Sequence, residues 1–203
     1  MSRREATELL LKYVERVQFG QVRRGYNCAI QTRSVPEFFP IRIKNLCENL
    51  RSALDYLALD IWNLYGQKGT KDPKVYFPIQ GSLEEYAKYA GKLFPDLKPK
   101  NPELWKFLER MQPVPGSDER WLGEFDSLNN RSKHLDLVLH RSRSAPVGHP
   151  KADEFGPVVH LDEQTNEWVE FRFVEPDVNA LMLIHSAVVG ARFIVNETID
   201  LLP

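Results

Sequence analysis

A mainly α fold, a bundle of about four long helices carrying a small antiparallel sheet, is what this sequence predicts. Three observations point there. Apolar residues recur every three or four positions over 4–18, 41–65, 118–141 and 177–202. A strict period of two appears in one late segment, where Val169, Phe171 and Phe173 alternate with Glu170 and Arg172. Prolines fall between these stretches rather than inside them.

The first helix is expected over 4–18, with Leu9, Leu10, Tyr13, Val14 and Val17 at helical spacing and Gly20 as its end. Residues 21–33 read as a strand, because Tyr26, Cys28 and Ile30 alternate. The helix over 41–65 carries Ile43, Leu46, Leu50, Leu54, Leu57, Ile61 and Leu64, widened by Cys47, Ala53 and Ala58. So wide an apolar face belongs at the centre of a bundle. Gly66 suits its C-terminal stop. A loop over 67–81 contains Tyr76-Phe77-Pro78-Ile79. Ser82, followed by Glu84 and Glu85, caps a short helix over 82–91, and Pro102 opens another over 102–111. The helix over 118–141 buries Trp121, Leu122, Phe125, Leu128, Leu135, Val138 and Leu139. A polar loop over 142–156 leads to strands at 157–162 and 168–174, and Pro176-Asp177 opens the last helix. The early strand 21–33 needs the late hairpin 157–162 and 168–174 as its partner. No linker divides the chain, so 1–203 reads as one domain.

The 27 Lys and Arg against 28 Asp and Glu exclude a uniformly basic nucleic-acid surface. Charge is uneven locally, however. From Arg131 to Lys151 five basic residues stand against Asp136 alone, which suits a phosphate-bearing partner such as RNA. Only Cys28 and Cys47 are present, and they read as thiols of a reducing compartment. The run Leu9-Leu10-Leu11 is too short for a signal peptide or a membrane span, so a cytoplasmic protein without a membrane partner is expected. Neither a glycine-rich phosphate loop nor a nucleophile elbow occurs, and no cofactor is implied.

Two polar clusters interrupt apolar helices. Arg51 and Asp55 stand four apart and can pair, with Asn49 beside them. Asp126, Asn130 and His134 share one face of the next long helix, flanked by Arg131 and Lys133. A His there is a candidate general acid or base, since its ordinary pKa lies near neutrality. Asn130 can fix its tautomer, and Lys133 or Arg131 can stabilise an anionic transition state. No Glu-x-x-His spacing accompanies it, so no metal is expected. The alternative is a non-catalytic interaction protein in which the same residues form a buried hydrogen-bonded network. A small-molecule pocket between helices and sheet is a third reading.

The run from Asn49 to Ala58, then Phe77-Pro78-Ile79, Gln112-Pro113, and Leu128-Asn129-Asn130 with Lys133-His134 resembles a group of uncharacterised bacterial and phage-associated proteins. The helical layout is also similar to the HEPN superfamily, many of whose members are RNA-cleaving toxins or defence nucleases. That resemblance implies a homodimer and a metal-independent ribonuclease, with an Arg a turn or more ahead of the catalytic His. Arg131 stands too close to His134 for that spacing. The resemblance therefore assigns the role to Arg51, with His134 as acid/base, Arg51 and Lys133 on the phosphate, and Asp55, Asn130, Asn49, Asp126 and Arg131 in support.

Overall fold

A computed structural model describes residues 3–67, 74–134, 139–144, 160–162, 167–175 and 177–203. It is mainly helical. Helix α1 (Arg3–Tyr13) runs through a π-helical turn, Val14–Gln18, into α2 (Phe19–Thr32). Helix α3 (Phe38–Tyr65) follows, then α4 (Leu83–Leu93), α5 (Leu97–Lys100), α6 (Pro102–Arg110) and α7 (Arg120–His134). Strands β1 (Leu139–Ser144), β2 (His160–Asp162) and β3 (Glu167–Phe173) lead to α8 (Ala180–Leu201).

The strand expected at 21–33 is a helix, and Gly20 does not end the segment before it. Tyr26, Cys28 and Ile30 alternate by chance. The residues α2 buries are Phe19, Val22, Gly25, Tyr26 and Ala29, at spacings of three and four. Cys28 and Ile30 are only half-buried. An interior glycine costs a helix about 1 kcal/mol, which this buried stripe offsets. Gly25 also meets a close approach, since a Cβ there would stand 2.7 Å from the Phe39 ring of α3. Arg33, in left-handed conformation at φ 57°, terminates the helix. Along α1 and the π turn the inward residues include Thr7, Leu11 and Val14, while Leu9, Tyr13 and Val17 face outward.

With 21–33 helical, β3 pairs elsewhere. The sheet order is β1-β3-β2, antiparallel throughout, with Arg141 opposite Phe171 and Leu161 opposite Trp168. The helix expected over 118–141 is correspondingly shorter, because Leu139 already belongs to β1. Residues 157–159 of the expected hairpin lie outside the described residues.

Helix α3 is the axis. Phe39, Ile43, Leu46, Leu50, Leu54, Leu57 and Ile61 are buried along it, and α1, α2, α7 and α8 pack around it. Helix α8 is long and apolar enough to cross a membrane, by length and composition alone. Here Leu181, Leu183, Ile184, Val188, Ile194 and Ile199 are buried, and half of its apolar window lies inside the protein. Its start is set by Asn179, whose side chain accepts from Leu181 N and Met182 N. Ser82 caps α4 in the expected way, accepting from Glu85 N.

Helix α2 is tied to the sheet by one buried phenol. Tyr26 Oη accepts from Phe171 N at 3.2 Å and from Asn179 Nδ2 at 3.3 Å. Burial pushes its pKa up from 10 to about 12. The unfolded chain therefore ionises this tyrosine first, so its contribution to stability is whole below pH 10 and is lost as pH rises toward 12. Alkaline denaturation followed by circular dichroism checks this. Tyr26→Phe should be less stable than wild type at pH 7 by about 1–3 kcal/mol, through its orphaned donors. It should also lose less further stability than wild type between pH 9 and pH 12.

Candidate functional site

The two polar clusters meet where α3 faces α7. Arg51 and Asp55 stand one turn apart on α3, and Asp126 and Asn130 one turn apart on α7. Arg51 Nη1 lies 2.7 Å from Asp126 Oδ1 across the interface. Its Nε lies 3.2 Å from Oδ1 and 3.3 Å from Oδ2 of Asp55. Asn130 Nδ2 donates to Asp126 Oδ2 at 3.0 Å. The guanidinium is thus held between two carboxylates, one from each helix.

The same pair grips a third segment. Arg51 Nη2 donates to Phe77 O at 3.2 Å, and Phe77 N donates to Asp55 Oδ1 at 2.8 Å. Both backbone groups of Phe77, which has no regular secondary structure, are satisfied by side chains of α3. Gln112 repeats the device one and three residues on, at Pro78 and Gln80. Its Oε1 accepts from Gln80 N at 2.9 Å, while its Nε2 donates to Pro78 O at 3.2 Å and to Leu108 O at 2.8 Å. Phe77 and Gln112 are fully or almost fully buried. The short motifs Phe77-Pro78-Ile79 and Gln112-Pro113 are therefore parts of one clamp that lays an extended segment across the bundle.

Between that segment, α3, α4 and α7 lies an open cleft of about 310 Å³, lined by Arg51, Asp55, Tyr76, Phe77, Ile79, Gln80, Tyr89, Asp126 and Asn130. The Arg51 side chain is 14% exposed, Asp55 21% and Asp126 27%. Burial raises the pKa of the Tyr89 hydroxyl; the Arg51 charge opposes that rise, and Asp55 and Tyr76 add to it. Tyr89 thus sits within electrostatic reach of all three.

Four expected site residues come together here: Arg51, Asp55, Asp126 and Asn130. Two go elsewhere. Asn49 Nδ2 donates to Gln18 Oε1 at 3.0 Å, tying α3 to the π turn. Arg131 is ion-paired with Glu175, beyond the end of β3. The side chains of Lys133 and His134 lie outside the described residues, although α7 runs to His134. Tyr76, Gln80 and Tyr89 were not among the expected site residues. Tyr89 lies in α4, thirty-four residues beyond Asp55, and no local pattern marks it. Among the described residues no group of three His, Cys, Asp or Glu stands close enough to hold a metal. Cys47 is fully buried, which pushes its thiol up to about 12 and removes it from nucleophilic chemistry at neutral pH.

Comparison with protein-family models, with curated proteins and with solved structures gives no match. What fold and site define together is a helical bundle with a minor sheet and a clamped polar cleft.

Removing Gln112 tests the clamp. In Gln112→Leu, Pro78 O and Gln80 N lose their partner inside the protein. Stability should fall by about 1–3 kcal/mol. The Gln80 amide should exchange with deuterium faster, relative to α3 core amides, than in wild type. Unchanged exchange at Gln80 would show that the segment is held by other contacts.

Proposed function

We propose that this chain is a non-catalytic interaction protein in which the Arg51-centred cluster is a structural clamp. One observation carries the reading: Arg51 is committed on three sides, to Asp55, to Asp126 and to Phe77 O. A phosphate-binding arginine needs its fork turned toward the ligand. This guanidinium faces protein partners instead, and it is the least exposed of the three charges. Its network also explains why polar residues interrupt the apolar stripes of α3 and α7. Breaking one side of a buried, hydrogen-bonded charge cluster costs more than the cluster contributes intact.

Thermal melting of Arg51→Met and Asp126→Asn, together with an RNA-cleavage assay, tests this reading. Each variant should melt several degrees below wild type, as a loss of about 1–3 kcal/mol implies. Wild type should cleave RNA no faster than a buffer control. Variants that melt like wild type but lose a ribonuclease activity of the wild type would overturn it.

A second reading has its own support. Asp126 and Asn130 both line the cleft opposite Arg51, and α7 continues by one turn to His134. The alternative we infer from this is a HEPN-like, dimeric ribonuclease in which Arg51, Lys133 and His134 act on an RNA phosphodiester. It predicts that His134→Ala abolishes cleavage of a single-stranded RNA while melting within a degree or so of wild type, and that the wild type sediments as a dimer. Equal cleavage by His134→Ala and wild type would remove it.

A further inference from the structure

We propose that the groove between α8 and the continuous rod of α1, the π turn and α2 takes a medium-chain carboxylate, a fatty acid in chemical class. Its acyl chain would lie on Phe19, Val188, Val189 and Phe193, and its carboxylate at Lys12 and Arg16. The groove shares no lining residue with the Arg51 cleft, so the proposal does not depend on how that cleft is read.

Two adjoining hollows make up the groove. One, of about 330 Å³, has Phe19 on one wall and Val188, Val189 and Phe193 on the other, with the His185 ring stacked on Phe19. The second, of about 280 Å³, is lined by Lys12, Arg16 and Glu8 opposite Asn196. Glu15, Arg192 and Asn196 border both hollows. The walls run antiparallel, since Glu15 pairs with Arg192 while Phe19 meets His185. Seven residues separate Lys12 from Phe19, and seven separate Val189 from Asn196. At the rise of a helix that is about 10 Å, the reach of a medium-length acyl chain. The first hollow matches the lower end of ordinary small-ligand sites in size.

The polar end has a definite sign. Glu15 is already ion-paired with Arg192 at 2.6 Å, and Glu8 with Arg4 at 3.5 Å. Lys12 and Arg16 have no ion-pair partner among the described residues. Both are exposed, stand four apart and line the same hollow. Like charges at that spacing repel each other. An anion between them removes the repulsion, and a cation adds to it.

The apolar end points to a ligand independently. Val189 and Phe193, one turn apart on α8, are 50% and 43% exposed and line one hollow together with Phe19 and Val188. Contiguous exposed apolar surface of this kind marks a binding site. A bare anion such as phosphate would use the two cations and leave this wall in water. A ligand that satisfies both ends has an apolar chain and an anionic head. The π turn, Val14–Gln18, carries Glu15 and Arg16 on this groove, and such turns recur at functional sites.

Isothermal titration of the full chain with decanoate, kept below the concentration at which it forms micelles, tests the proposal. Acetate is the control for the head alone, and decyltrimethylammonium for the same chain with opposite charge. Decanoate should bind saturably and neither control should. The double variant Lys12→Gln/Arg16→Gln should weaken decanoate about tenfold or more. Val189→Asp, which sets a carboxylate in the apolar hollow, should abolish binding. All three positions are exposed, so both variants should melt near wild type. Sedimentation of the same samples tests the rival occupant, a second copy of this chain. A wild-type dimer that Val189→Asp dissociates, with decanoate bound by neither form, would overturn the proposal. So would no saturable binding of decanoate by the wild type, equal binding by both variants, or equally tight binding of the ammonium.

Discussion

The guanidinium of Arg51 must be neutralised where α3 and α7 close on each other, and much of the surrounding structure answers to that requirement. A charge withdrawn from water is tolerated only with opposite charge and hydrogen-bonding partners at hand. Asp126 provides one from across the interface, Asp55 another from the next turn of α3, and Phe77 O a third from an irregular segment. Satisfying the arginine thereby sets the register of α7 on α3 and the course of Phe77 to Gln80. An apolar contact of similar size would tolerate a slide of one residue. This one would not, because a slide parts Arg51 from Asp126 and leaves that half-buried carboxylate with the Asn130 amide alone among these partners.

Tyr26 plays the corresponding part at the other end. It is buried between Phe39 of α3 and Phe171 of β3, in edge-to-face contact with both rings. Its hydroxyl accepts from the backbone of β3 and from the cap of α8. One side chain thus connects α2, the sheet and the start of α8. A sheet of three short strands gains stability by leaning on a helix, and Tyr26 and Phe171 are where it leans.

The long helices were legible because a wide apolar stripe leaves few alternatives: α3 buries the residues its periodicity marks, from Ile43 to Ile61. The error at 21–33 has a definite cause. A segment with Tyr, Cys and Ile at alternate positions also has Phe19, Val22, Tyr26 and Ala29 at helical spacing, and Gly20 and Gly25 weaken the helical pattern locally. What decided between them is tertiary, the fit of Gly25 and Tyr26 against Phe39. The site was half legible for a related reason. Arg51 with Asp55, and Asp126 with Asn130, announce themselves as polar pairs one turn apart on apolar helices. That the pairs face each other depends on helix packing, which spacing does not encode. Tyr89 carries no local signal at all. Asn49, which looks like part of the cluster by proximity in sequence, lies on the side of α3 that meets the π turn instead.

The two functional readings separate along a single helix face. Asp126 and Asn130 are described at the cleft, where the lining is net negative. One turn further α7 ends at His134, and in the sequence Arg141, Arg143 and Lys151 follow. Arg51 cannot serve both ends equally, because its strongest bond, 2.7 Å to Asp126, holds it at the acidic one. A catalytic arrangement would have to draw the arginine off Asp126, leaving that carboxylate half-buried with the Asn130 amide alone among its present partners. The loss of a charge-assisted hydrogen bond, about 1.5–3 kcal/mol, opposes that movement. The resting geometry therefore holds Arg51 at the Asp126 end of the interface.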